Sequence, residues 1–191
     1  MSAGATISAA QAEADTRRWL ERAVIGLNLC PFAKAVHMRG QIHYAVHLPR
    51  EETGLIDALL HEANELAAHD PAERDTTLLI APNTLADFLD FNDLAARVER
   101  RLARAGFDGQ FQLASFHPHY QFAGTEADDI TNATNRAPYP SLHLLREDSV
   151  SRAVEAFPDA EAIFGRNIQT LEALGAAGWA ALDVGPGRAE R

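Results

Sequence analysis

The 191-residue chain carries 27 Asp and Glu against 17 Lys and Arg, a formal net charge of −10. That balance excludes a general nucleic-acid binder, which needs a basic face to neutralise phosphates. With 47% hydrophobic residues the chain can bury one sizeable core, and its length suits a single domain.

No apolar run approaches the roughly 18 residues of a membrane span. The opening MSAGATISAAQAEADT has neither a basic start nor a continuous apolar segment, unlike a secretory signal. The lone cysteine, Cys30, excludes an internal disulfide. A cytoplasmic protein is expected, without membrane or nucleic-acid partners.

Trp19, Leu20, Ala23, Val24 and Leu27 recur at helical spacing and predict a helix from about Gln11 to Leu29. Cys30-Pro31 interrupts it. Proline favours a first helical position, so a short helix is expected from Pro31 to about Met38, with Cys30 near its N-cap. Gln41 to Leu48 alternates, Ile42, Tyr44, Val46 and Leu48 against His43, Ala45 and His47, as in a half-buried strand. Glu52 to Ala68 reads as a helix. Thr76 to Ala81 is continuously apolar after its threonines and predicts a strand buried on both faces. Thr84 with Asp87 resembles a capping box, opening a helix to Ala105 with Gly106 as its stop. Phe111 to Phe116 and Leu142 to Arg146 are the third and fourth strands. Asp148 or Ser149 caps a last helix, interrupted at Pro158 and ending at Gly175.

Strands separated by helices predict an α/β sandwich, a mixed sheet of four or five strands with flanking helices. The fourth strand is free to pair antiparallel. The domain is expected over residues 10–176, with 1–9 and 177–191 as flexible tails.

The segment between the third and fourth strands concentrates the chemistry. Between His117 and Arg146 stand three of the eight histidines, two arginines, two tyrosines, three acids and two asparagines. A loop of about two dozen residues far exceeds usual connections and is of the kind that carries function. His117 and His119, at i and i+2 of a strand end, face one way. They are candidates for acid–base catalysis or, with His143 as third ligand, for a divalent metal such as zinc. Asp128 and Asp129 are candidates to orient a histidine or to act as base. Arg136 and Arg146 offer fixed forks for a carboxylate or phosphate. Tyr120, Asn132, Asn135, Tyr139 and His143 complete the candidate substrate contacts. Cys30 is a candidate nucleophile, since a helix N-terminus lowers a thiol pKa, though its neighbours Leu27, Leu29 and Phe32 equally suit burial.

GLNLCPFA (Gly26 to Ala33), FHPHYQFAG (Phe116 to Gly124) and TNRAPYPSLHLLRE (Thr134 to Glu147) together resemble a family of uncharacterised bacterial proteins, a domain of unknown function. The resemblance runs from about Thr16 to Gly175. It implies a stand-alone domain and brings no activity. The residues themselves point to a small-molecule enzyme, of hydrolase or transferase type, holding an anionic substrate in a His/Arg/Asp pocket of the 117–146 loop. The alternatives are a non-catalytic metal-binding or sensor protein using His117, His119 and His143, and a protein-interaction module.

Overall fold

The apolar run after Asp75 forms β2 (Thr76–Ile80), buried along its whole length. It pairs in parallel with β1 (Ile42–Val46) and antiparallel with β4 (Ser141–Arg146). β3 (Phe111–Phe116) pairs antiparallel with β4, and the sheet order is β1-β2-β4-β3. This single α/β domain, with its four-stranded mixed sheet, is seen in a computed structural model that describes residues 6–156 and 162–187. The helix break expected at Pro158 lies outside the described residues.

The direction of each strand follows from its connection. Helix α3 (Leu55–Ala68) links β1 to β2, and α4 (Phe88–Leu102) links β2 to β3. Helical crossovers return the chain in the same direction, so β1, β2 and β3 run one way. Between β3 and β4 the only regular element is one 3-10 turn, Ile130–Asn135. The chain comes straight back and β4 runs against the other three.

The two-residue period then sorts the side chains. Leu79, Leu142 and Leu144 face one way and meet Leu55, Leu59 and Leu66 of α3 with Phe91, Leu94 and Val98 of α4. Tyr44, Leu78 and Ile80 face the other way and meet Ala12, Trp19, Leu20 and Ala23. These come from α1 (Ala9–Trp19) and the π-type turn Leu20–Ile25 that continues it. Trp19 sets its ring edge-on to Phe116 at 5.1 Å. Burying each such leucine contributes about 2 kcal/mol.

Helix α1 ends in a tight turn that only glycine permits. A Cβ on Gly26 would lie 2.2 Å from the Arg22 carbonyl oxygen. The expected helix to Leu29 is therefore cut short. The next helix, α2 (Ala33–Met38), starts two residues later than Pro31. α4 begins at Phe88, not Thr84, because Leu85 adopts a left-handed φ of 56° and Asp87 alone caps, accepting from the Leu89 and Asp90 amides. The helix ends in a π-type turn, Ala103–Phe107, stopped by left-handed Gly106.

α5 (Glu147–Glu155) follows β4 directly, and α6 (Ala162–Ala181) kinks at Gly175 (φ 67°) but resumes beyond it. Leu171 of α6, fully buried, packs on Leu29 and Ala133. Asn167 donates to the Leu29 carbonyl at 2.9 Å.

Helix α6 passes residue 176, and the chain after it stays in contact with the domain. Residues 182–187 are strapped to α1. Arg18 donates to the carbonyls of Asp183 and Gly185, and Arg22 to that of Leu182. Asp15, 0% exposed, accepts from the Gly187 amide at 2.8 Å and from the Tyr139 hydroxyl at 2.6 Å. Burial raises the Asp15 pKa, but hydrogen bonds from Tyr139, Gly187, Gln11 and Arg18 outweigh it and hold the carboxyl below its ordinary value.

Candidate functional site

The long loop is well built, and most of its polar side chains are used to build it. Asn132 is 0% exposed. Its Oδ1 accepts from the Phe122 amide and the Thr125 hydroxyl, and its Nδ2 donates to the Glu126 carbonyl. Asp129 caps the 3-10 turn, accepting from the Thr131 amide and hydroxyl. Asn135 donates to the Ser115 carbonyl. Arg136 donates to the carbonyls of Tyr120 and Ala127, so its fork closes the loop on itself. Tyr120 packs at a tilt against Phe88 and edge-to-face against Phe122. Asp128 stays exposed. Local backbone groups thus engage most of these side chains.

His117 and His119 have ring centroids 5.8 Å apart but differ in burial. Strand pairing stops at Phe116, and Pro118-His119 turns. His117 is 0% exposed, between Phe88 and Phe91 of α4. Its Nε2–H donates to the Leu85 carbonyl at 2.9 Å, and its Nδ1 accepts the His119 amide at 3.0 Å. These partners fix the neutral Nε2–H tautomer, and burial lowers its pKa. His119 is exposed.

His143, which shares a cross-strand row with Ala114 and Leu78, projects from the face covered by α1. His117, three residues beyond Ala114, lies against the opposite helical layer. The proposed metal trio His117, His119 and His143 is therefore split by the sheet. Among the described residues no three His, Cys, Asp or Glu side chains are grouped to hold a metal.

Two concave regions among the described residues contain candidate residues. One lies beyond the carboxyl ends of β1, β2 and β3, where ligands in open α/β sheets usually bind. This cleft of about 450 Å³ includes His117 and His119, with Arg50, Thr84, Tyr139 and Pro186 among its other walls. Its Tyr139 is held at the hydroxyl by Asp15, and burial, the larger cause, raises its pKa together with that carboxylate.

The other is at the opposite end of the sheet. α1 covers Tyr44, Leu78 and Ile80, but the row below, Ile42, Thr76, Leu145 and Gln112, lies beneath α2 and α5. The gap is a cavity of about 710 Å³. Pro31, Phe32, Val36, Leu145, Val150 and Ala153 make most of it apolar.

Three of the candidate residues line this cavity together: Cys30, His143 and Arg146. Cys30 sits in the turn before α2. Amides of Phe32 and Ala33 favour its thiolate, but burial is the larger effect and raises its pKa. His143 Nε2 lies 2.5 Å from the Thr76 hydroxyl, which itself donates to the Leu144 carbonyl. The hydroxyl has one proton, so His143 must donate from Nε2. Burial pushes its pKa down to about 4. Both groups are neutral near pH 7. The Arg146 guanidinium reaches back to the carbonyls of Leu66, His69 and Arg74, at the end of α3.

Sequence reasoning missed Thr76, Arg39 and Arg152 at this cavity, and Asp15 behind Tyr139. Asp15 did leave a signal. It stands between Ala12 and Trp19 on the apolar stripe of its helix, where an acid needs partners. The cavity left none, because its walls come from α2, α5 and the sheet, far apart in sequence.

The fold and these two concavities define a single-domain α/β protein with a cavity of small-molecule size. The chain belongs to the family described as protein of unknown function (DUF1415), whose model matches residues 11–181, in agreement with the resemblance drawn from the sequence. No curated protein and no solved structure matches it. Among the described residues no helix is long and apolar enough to cross a membrane.

Proposed function

We propose that this protein binds a small molecule in the cavity roofed by α2 and α5. One observation carries the reading: a largely apolar space of about 710 Å³ into which a few neutral polar groups converge. Small-molecule sites are of this size and composition, roughly 300–1,000 Å³ with sparse polar anchors. A protonated thiol and an imidazole made weakly basic by burial favour binding over nucleophilic turnover, which needs a thiolate or an effective base.

Titration with a neutral solvatochromic dye tests the reading. Saturable binding is expected, and Ala153→Trp should abolish it by filling the space while leaving the unfolding midpoint within a few degrees. Absence of binding to the wild-type chain, or undiminished binding to the filled variant, would refute it.

A second reading keeps hydrolase or transferase chemistry at the opposite cleft, with His119 as proton carrier and Arg50 toward an anionic substrate. It is favoured by the left-handed Leu85, since strained non-glycine backbone clusters at functional sites, and by the way its carbonyl and buried His117 fix the amide of His119. Loss of turnover in His119→Ala without loss of stability would select it over the cavity.

A further inference from the structure

The cavity is not uniformly apolar, and its polar groups are unevenly distributed. Its floor holds Thr76 and His143, which satisfy each other. Its charged groups are Arg39, Asp75, Arg146 and Arg152. Asp75 accepts from the Ser149 hydroxyl at 2.6 Å and lies within electrostatic reach of Arg146. Arg146 is tied to the end of α3. Arg39, at the end of α2, and Arg152, on α5, are different. Both are exposed, and neither pairs with a carboxylate among the described residues. Arg39 donates from Nε to Gln41, and Arg152 donates to Ser149.

Arg39 and Arg152 stand on the two helices that roof an apolar cavity, and make a cationic rim over a hydrocarbon-like interior. We infer that the ligand is a free single-chain amphiphile with an anionic head: an acyl or alkyl chain lies between Val36, Leu145 and Ala153, and a carboxylate or similar group meets Arg39 and Arg152. This assignment rests on the reading of the cavity as the ligand site.

The two parts of such a ligand have separable signatures. Each methylene added to the tail should tighten binding about fourfold until the cavity is full. The head should add a salt-sensitive increment, on the order of threefold to tenfold for two exposed arginines.

The experiment is displacement of the neutral dye by octanoate, decanoate, decanol and decyltrimethylammonium, each below its micellar concentration, at low and at 0.5 M salt. Protection of the single thiol, Cys30, from a maleimide gives an independent readout inside the cavity. Decanoate is expected to bind most tightly and octanoate more weakly. The variant R39Q/R152Q should lose the preference for decanoate over decanol while binding decanol as before, which also shows that it is folded. Equal affinity for decanoate and decanol, or a preference for the cation, would overturn the anionic head and leave the cavity standing. If no amphiphile displaces the dye, the single-chain assignment falls, although dye binding itself still supports the cavity. If the dye does not bind either, both readings fall. Co-sedimentation with phosphatidylglycerol vesicles without binding of monomeric decanoate would replace the proposal with membrane docking.

Discussion

Replacing His143 by Gln should change how stability depends on pH, by an amount the structure sets. Burial holds the imidazole pKa near 4 in the folded protein, against 6.5 when unfolded. Between these values the unfolded chain binds a proton that the folded chain refuses. Stability therefore rises with pH through this window and is lost as pH falls below 6.5. The shift makes the loss about 2 kcal/mol by pH 5 and about 3 kcal/mol by pH 4, relative to pH 7.5. Gln cannot titrate, yet its amide can still donate to Thr76. The difference between wild type and H143Q should therefore move by about 2 kcal/mol in favour of the variant from pH 7.5 to 5. Urea unfolding followed by the emission of buried Trp19 measures it. Parallel pH profiles for the two proteins across that interval would refute the assignment of His143 as a neutral floor group. A ligand that fills the cavity should deepen the acid loss in the wild type, because it removes the remaining water from the ring.

Asp15→Asn should destabilise by about 3 kcal/mol and Tyr139→Phe by about 2 kcal/mol, with strongly non-additive effects in the double variant. Since the folded Asp15 pKa is depressed, the stability it contributes is present above the unfolded pKa of about 4 and lost as pH falls below it. A double-mutant cycle by urea denaturation, repeated at acid pH, checks both points; full additivity would contradict the hydrogen bond between them. His117→Ala and Asn132→Asp should each cost about 2–4 kcal/mol, and His119→Ala less than about 0.5 kcal/mol. Thermal unfolding separates them, and a neutral His117 variant would mean that the imidazole has no structural role. Cys30 should react with iodoacetamide at pH 7.4 at least about tenfold more slowly than free cysteine, because its thiolate is scarce. A faster rate, read by mass spectrometry, would restore it as a candidate nucleophile.

What was legible in the chain was the part governed by period. Alternation in Gln41–Leu48 and the apolar TTLLIA run gave the strands and, through the parity of residue numbers, which side chains share a face. The freedom of the fourth strand to pair antiparallel followed from the lack of a crossover helix. Helix starts were legible less well. Thr84 and Asp87 both suit a cap, and only the left-handed turn at Leu85, a tertiary feature supported by the buried His117, decides between them. The 117–146 loop was recognised as structured and polar, but composition cannot tell a side chain that binds a ligand from one that binds its own loop. Asn132 and Arg136 are of the second kind. The cavity depends on where α1 stops and where α5 lies, and no local pattern encodes that.

The strap across α1 has a consequence during synthesis. Arg18 and the Asp183 carbonyl it grips are 165 residues apart. Helix α1 must therefore wait, with its buried acid uncovered, until residues 182–187 have been made. Contacts of such long separation form late and slowly. Until they close, the nascent α1 presents an apolar stripe to anything nearby.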